Sequence, residues 1–364
     1  REQIREIVDS TQCAYPYFLI TNAEYKFGRG TYRLPDIGTP VPIQPVARPE
    51  IEIESAEEIE MNATVHTLRQ PKMLDESQPS IPELHPDYVQ FGFFKDLHNI
   101  VNSKQFYPVF ITGLSGNGKT LMVEQVCAIL NKECIRVAIS IETDETDLLG
   151  GYSLVDGNTV YRDGPVILAM KRGAVLLLDE IDRGSNKLMC LQSVLEGKPY
   201  YNKKTGEVIT PKRGFNVIAT ANTKGRGSEE GRYLSQILDD AFLERFPITV
   251  EQEYPDVKTE KKILKPLIDD QEFVDLLIKW ADVVRQSFDE GAIDEIISTR
   301  RLVHIARAYG IFKDRMKAIQ LCVNRYDEDT KTAFMDLYSK IDVKVEDPNV
   351  GVLAKQLSTQ EVPF

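Results

Sequence analysis

Apolar and polar positions change their period along this chain, and the change divides it. Between residues 87 and 252, short apolar runs at 108–112, 135–140, 174–179, 215–220 and 247–250 alternate with segments whose apolar residues recur at helical spacing. Alternation of this kind predicts an α/β fold, a mostly parallel sheet with helices on both faces. From 253 to 342 the strand signal is lost. Phe273, Leu276, Leu277, Trp280, Val283 and Val284 repeat with a period near 3.6, which predicts a small α-helical domain. Residues 1–34 read as a small N-terminal region with a hairpin around Tyr25–Tyr32. Residues 35–86 hold nine of the nineteen prolines and the acidic run Glu50–Glu60, so they read as a linker or as an extended arm laid over a surface. The tail 343–364 has little periodicity.

Composition narrows the partners. The chain has 364 residues, a formal net charge of −12 and a pI near 5.0. That balance weighs against general nucleic-acid binding, which neutralises phosphates with Lys and Arg. The five cysteines are scattered, with no C-x-x-C pair, and there are only four histidines. A reduced, cytoplasmic chain without structural zinc is the expectation. No apolar run approaches the roughly 18 residues of a membrane span, and the start at Arg1 is compatible with a processed or truncated N-terminus.

The strongest local signal is Gly113-Leu114-Ser115-Gly116-Asn117-Gly118-Lys119-Thr120, the full G-x-x-x-x-G-K-[ST] phosphate-binding loop. It follows the apolar run Val109-Phe110-Ile111 and opens a helical pattern, the context the motif requires. Gly113, Gly116 and Gly118 allow the tight turn that aims backbone N–H groups at phosphate oxygens. The start of the following helix adds positive potential. The loop residues Gly113, Ser115, Gly116, Asn117, Gly118, Lys119, Thr120 and Leu121 are therefore expected to hold nucleotide. Lys119 is placed for the β- and γ-phosphates and Thr120 for Mg²⁺.

About 60 residues on, Val175-Leu176-Leu177-Leu178 ends in Asp179-Glu180. A continuous apolar run is a strand buried on both faces, and ligands in such sheets bind at strand carboxyl ends. Asp179 is expected to hold Mg²⁺ through its water shell, and Glu180 to orient and deprotonate the attacking water. The run Phe215 to Ala221 ends in Asn222, an amide able to position water without adding negative charge. Arg245, in Phe242-Leu243-Glu244-Arg245-Phe246, reads either as a structural ion-pair partner or as a finger reaching a neighbour's γ-phosphate. In Ser298-Thr299-Arg300-Arg301, Ser298 or Thr299 reads as an N-cap, Arg300 as facing the nucleotide and Arg301 as its substitute.

This order resembles that of AAA+ ATPases: Walker A at 113–120, Walker B at 175–180, sensor 1 at Asn222, arginine finger at Arg245 and sensor 2 at Arg300. Asp147-Leu148-Leu149-Gly150-Gly151-Tyr152, Asp163-Gly164-Pro165, Asp179-Glu180-Ile181-Asp182-Arg183 and Asn222-Thr223-Lys224-Gly225 are similar to the MoxR-like branch, particularly its CobS, NorQ and CbbQ members. The resemblance spans roughly residues 90–320. It implies a P-loop NTPase domain at 87–252, a helical lid at 253–342, and ATP and Mg²⁺ as cofactors. It also implies a ring-shaped homo-oligomer, usually a hexamer, with ATP between subunits. Further implications are a partner with a von Willebrand A domain, and remodelling of a client or assistance in metal insertion. Inserted hairpins are implied at about 152–161 and 197–214. The second, with Tyr200, Tyr201, Lys203, Lys204, Lys212 and Arg213, would face the pore or partner; read from the residues alone, it is a turn with solvated lysines.

Two other functions fit part of the pattern. A nucleic-acid motor of another AAA+ branch draws on the basic hairpin at 203–213 and is opposed by the net charge. A nucleotide-gated scaffold that hydrolyses little is opposed by Glu180 and Asn222.

Overall fold

The computed structural model describes residues 26–28, 31–32, 79–155, 158–227 and 233–342. Expectations for the rest of 1–34, for the proline-rich stretch as far as 78 and for the tail 343–364 lie outside the described residues. The chain divides into two compact units, Arg1–Gln70 and Pro71–Phe364. In the first, β1 (Lys26–Gly28) pairs antiparallel with β2 (Thr31–Tyr32), the hairpin expected there.

In the second unit the five apolar runs form one sheet. Its strands are β3 (Val109–Thr112), β4 (Cys134–Ala138), β7 (Val175–Asp179), β10 (Asn216–Thr220) and β11 (Ile248–Glu251). They run in the order β11-β3-β10-β7-β4, every pair parallel. The three inner strands are buried at every residue, whereas the edge strands β4 and β11 are partly exposed.

The alternation of a strand assigns successive residues to opposite faces. Val109, Ile111, Val175, Leu177 and Ile218 enter one core with α1 (Phe94–Ser103) and α2 (Lys119–Ile129). Phe110, Leu176, Leu178, Val217 and Ala219 enter the other with α4 (Pro165–Arg172), which follows α3 (Glu145–Leu149), and with Phe242 and Phe246. Continuous apolar runs are what two covered faces require. Because β3 sits between β10 and β11, the loop leaving β3 opens beside the ends of those two strands, with β7 next beyond β10.

Two antiparallel hairpins project from this layer. One pairs β5 (Gly150–Val155) with β6 (Asn158–Asp163), reaching two residues beyond the expected span at each end. The other pairs β8 (Tyr200–Tyr201) with β9 (Val208–Ile209). Tyr152 Oη donates to the Lys204 carbonyl at 2.9 Å, and Lys204 Nζ to the Gly150 carbonyl at 3.0 Å, so the hairpins lie against each other. Between them in the chain, α5 (Gln192–Leu195) ends at Glu196.

After α6 (Asp240–Leu243) and β11, the chain is helical: α7 (Val257–Leu264), α8 (Gln271–Asp289), α9 (Thr299–Phe312), α10 (Arg315–Val323) and α11 (Glu328–Ile341). Each starts at a short polar residue, Asp256, Asp270, Ser298, Asp314 or Asp327, whose side chain accepts a backbone N–H of the first turn. Their core is built on Trp280, Phe273, Phe334 and Tyr338, and the Trp280 indole N–H is satisfied by the Phe334 carbonyl at 3.0 Å. No helix among the described residues is long and apolar enough to cross a membrane.

Candidate nucleotide site

The loop between β3 and α2 is bent as its glycines allow. Gly113 has φ +138° and Gly116 φ +79°. A Cβ at Gly113 would lie 2.3 Å from the Gln252 carbonyl oxygen, and one at Gly116 2.7 Å from Ser298 Oγ. Side chains are excluded at both positions by conformation and by space. Asn117 fastens the loop to the edge strand by donating to the Gln252 carbonyl.

Lys119 starts α2 with its ammonium buried. Its Nζ donates to the carbonyls of Gly113 at 2.7 Å and Leu114 at 3.0 Å, to Asn117 Oδ1 at 3.2 Å and to Asn222 Oδ1 at 3.3 Å. Burial pushes its pKa down to about 8; Asp182 and Asp179 oppose the fall and Arg300 adds to it. The amide at the tip of β10 thus meets the lysine of the loop across 103 residues of sequence.

Asp179 ends β7 at 4% exposure. Its Oδ1 accepts from Thr120 at 2.7 Å and from the Thr220 hydroxyl; its Oδ2 accepts from Arg136 Nε at 3.0 Å. Burial raises the carboxyl's pKa, but Thr220, Thr120 and the Arg136 guanidinium more than offset this and hold it below the usual range. The two residues expected to carry Mg²⁺, Thr120 and Asp179, are therefore already in contact.

Glu180 takes a left-handed backbone, φ +57°, an uncommon conformation for a residue with a side chain. Its side chain is 39% exposed and pairs with Arg183 at 3.0 Å. The N-cap at α9 is Ser298, which accepts from Arg301 N, whereas Thr299 Oγ1 donates to Glu260. The Arg300 backbone N–H donates to the Gly116 carbonyl at 3.1 Å, bringing the helical domain onto the loop.

One cavity of about 770 Å³ is lined by loop residues Ser115–Leu121 together with Asp179, Glu180, Asn222 and Arg300. Arg301 is not among its lining residues, and neither is Arg245. Arg245 Nε bonds Glu196 Oε1 at 3.1 Å and its guanidinium reaches the Ala241 carbonyl. Within one chain, then, Arg245 has the ion-pair arrangement; a contact with a neighbour's site is not made by this subunit on itself.

Several lining residues had no sequence signal. Arg136 bonds Asp179; Tyr88, Val89, Phe91, Ile263, Leu267 and Val303 supply apolar lining; His304 and Arg307 share the α9 face with Arg300. Burial, then Arg301, Arg300 and Arg307, hold the His304 pKa below its usual value. The segment 80–85 is anchored by Cys134 N–H to the Ser80 carbonyl at 2.9 Å and by His85 N–H to Gln125 Oε1 at 2.9 Å. Asp182 was missed as well. It is 1% exposed, and its Oδ2 accepts from Asn222 N at 3.0 Å, Thr223 N at 2.9 Å and Thr223 Oγ1 at 2.9 Å, which fixes the turn that carries Asn222.

The donor set suits a polyphosphate with a divalent cation. Cationic Lys119, Arg136, Arg300 and Arg307 line one volume, the Thr120 hydroxyl and the Asp179 carboxylate touch within it, and apolar lining is available to a base.

Residues 108–246 match the AAA domain of the dynein-related subfamily. Residues 262–341 match the CbbQ/NirQ/NorQ C-terminal domain. Aerobic cobaltochelatase subunit CobS of Sinorhizobium sp is 29% identical over 274 residues, covering 71% of this chain and 82% of that protein. An uncharacterized protein of Staphylococcus epidermidis is 32% identical over 209 residues, covering 54% of this chain and 76% of that protein. One of Staphylococcus aureus is 31% identical over 208 residues, covering 54% and 76%. With its parallel sheet, its phosphate loop and its helical C-terminal domain, the chain belongs to the AAA+ ATPases of the MoxR-like branch, close to CobS and CbbQ.

Proposed function

We propose that this protein is a Mg²⁺-dependent ATPase that assembles into a ring, a hexamer as the family resemblance implies, and uses hydrolysis to remodel a partner protein or assist metal insertion. The observation that carries the reading is the convergence of Lys119, Thr120, Asp179, Glu180, Asn222 and Arg300 on one cavity, while Arg245 lies outside it. Loop amides and Lys119 bind the phosphates. Thr120 and Asp179 would hold Mg²⁺, which would neutralise phosphate charge as it develops. Glu180 takes the proton of the attacking water, and Asn222, bonded to Lys119, positions that water beside the terminal phosphate. Arg300 neutralises charge from the helical domain, and Arg245 acts in a neighbouring subunit's site.

The likeness to a cobaltochelatase subunit supports metal insertion as the client process. A von Willebrand A domain protein is the partner expected of this branch. A nucleic-acid motor has less support. Of the hairpin cations, Lys204 is bonded to Gly150 and Thr146 within the protein, and Glu207 beside them pairs with Lys171 at 3.1 Å.

The first test is mass in solution with and without Mg²⁺ and a slowly hydrolysed ATP analogue, with Glu180→Gln as control. Nucleotide-driven assembly into a ring is expected. A persistent monomer that binds nucleotide would leave Arg245 as an ion-pair residue and remove the ring from the proposal.

A further inference from the structure

The helical domain touches the phosphate loop at two consecutive peptide groups. Tyr254, in the connection between β11 and α7, donates its hydroxyl to the Ser115 carbonyl at 2.8 Å. The Arg300 N–H donates to the Gly116 carbonyl at 3.1 Å. In a trans peptide the carbonyl and the following N–H point in opposite directions. Holding the Ser115 carbonyl therefore fixes the opposite heading of the Gly116 N–H, and holding the Gly116 carbonyl does the same for the Asn117 N–H. These amides belong to the loop that lines the cavity.

The two contacts are joined behind the loop. The Arg285 guanidinium lies 4.4 Å from the centre of the Tyr254 ring. It grips Glu260 with two hydrogen bonds, 3.0 and 2.8 Å, and donates to the Ile297 carbonyl at 2.9 Å. Glu260, 1% exposed, accepts from Thr299 Oγ1 at 2.6 Å, and Thr299 is the residue before Arg300. Tyr254, Arg285, Glu260 and Thr299 thus form one continuous chain from the Ser115 carbonyl to the first turn of α9.

We propose that Tyr254 is a positioning residue that couples the phosphate loop to Arg300: through Arg285, Glu260 and Thr299 it makes the amide cradle and the arginine arrive together at the phosphates. This rests on the nucleotide-site reading above. The coupling ties the position of the helical domain to the aim of the loop amides, so that moving one disturbs the other.

The test is a double-mutant cycle on nucleotide affinity. Tyr254→Phe keeps the ring over Arg285 and removes only the hydroxyl; Thr299→Val removes only the bond to Glu260. Affinity for ADP with Mg²⁺ is measured by calorimetry for wild type, both single variants and the double variant. Each single change is expected to weaken binding by roughly 3- to 10-fold, the worth of one hydrogen bond. The double variant is expected to lose less than the product of the two, since both changes interrupt one chain. Strictly multiplicative losses, or a Tyr254→Phe variant that binds as wild type does, would overturn the coupling. A wild-type protein that binds no nucleotide would instead overturn the reading of the site itself.

Discussion

The guanidinium of Arg136 lies against the carboxylate of Asp179, with Nε 3.0 Å from Oδ2, while its NH1 holds Glu124 at 3.1 Å. A cation thus already serves the carboxylate expected to serve Mg²⁺. Two positive groups cannot both take full benefit from one carboxylate, so metal binding works against this pair. Arg136→Gln is expected to lower the Mg²⁺ concentration needed for half-maximal nucleotide binding by about 3- to 10-fold, modest because the arginine is half exposed. A calorimetric Mg²⁺ titration at fixed nucleotide checks it; an unchanged midpoint would show that Arg136 and the metal do not compete.

As the proposed base, Glu180 is expected to serve turnover rather than binding. Its side chain reaches the cavity from a left-handed turn, and its partner is Arg183 rather than a loop residue. Glu180→Gln is expected to bind ATP within about twofold of wild type and to turn it over at least about 100-fold more slowly, the usual worth of a general base. Phosphate release measured beside equilibrium binding separates the two effects. Hydrolysis at the normal rate would assign the base elsewhere.

Arg245 distinguishes a ring from a monomer. Its bonds to Glu196 and Ala241 keep it at the end of α6, away from its own chain's cavity. Arg245→Ala alone is expected to lose turnover. Mixed with Glu180→Gln subunits, which retain the arginine, it is expected to regain part of it. Mixtures that stay inactive at every ratio would argue against action between subunits.

Lys119 gives the site a pH dependence with a definite sign. Its ammonium has a pKa near 8 in the protein, and a bound polyphosphate raises it by adding negative charge. Below pH 8 the lysine is charged before and after binding, so affinity is flat in this term. Above pH 8 binding must take up a proton, and affinity falls by up to about tenfold per pH unit until the bound-state pKa is reached. Calorimetry in buffers of different ionisation enthalpy should record proton uptake above pH 8. Its absence would mean that Lys119 does not face phosphate.

Asp182 tests how Asn222 is held. Removing its carboxylate leaves two backbone N–H groups and the Thr223 hydroxyl without their acceptor in a buried place. Asp182→Ala is expected to cost about 2–4 kcal/mol in chemical unfolding, and Asp182→Asn less, because the amide oxygen still accepts. An alanine variant as stable as wild type would remove Asp182 from the support of this turn.

The sequence by itself determined the strands, the phosphate loop, Asp179-Glu180 and the change to helices after β11. Each of these is written within a few residues: an apolar run long enough for a buried strand, a glycine pattern, an acid at a strand end, a 3.6-residue period. It also brought Asn222 and Arg300 forward, because their order along the chain carries information. Only the tertiary structure decided that Arg136 covers Asp179, that Asp182 holds the turn of Asn222, that Tyr88, Val89 and Phe91 line the cavity and that Tyr254 meets Ser115. The last pair is 139 residues apart, and Arg136 and Asp179 are 43 apart. Periodicity reports which face of an element is buried, not which distant side chain comes to rest beside it. A half-exposed arginine on an edge strand, or a tyrosine in a connection, carries no pattern of its own until the sheet order and the docking of the helical domain bring its partner within a hydrogen bond.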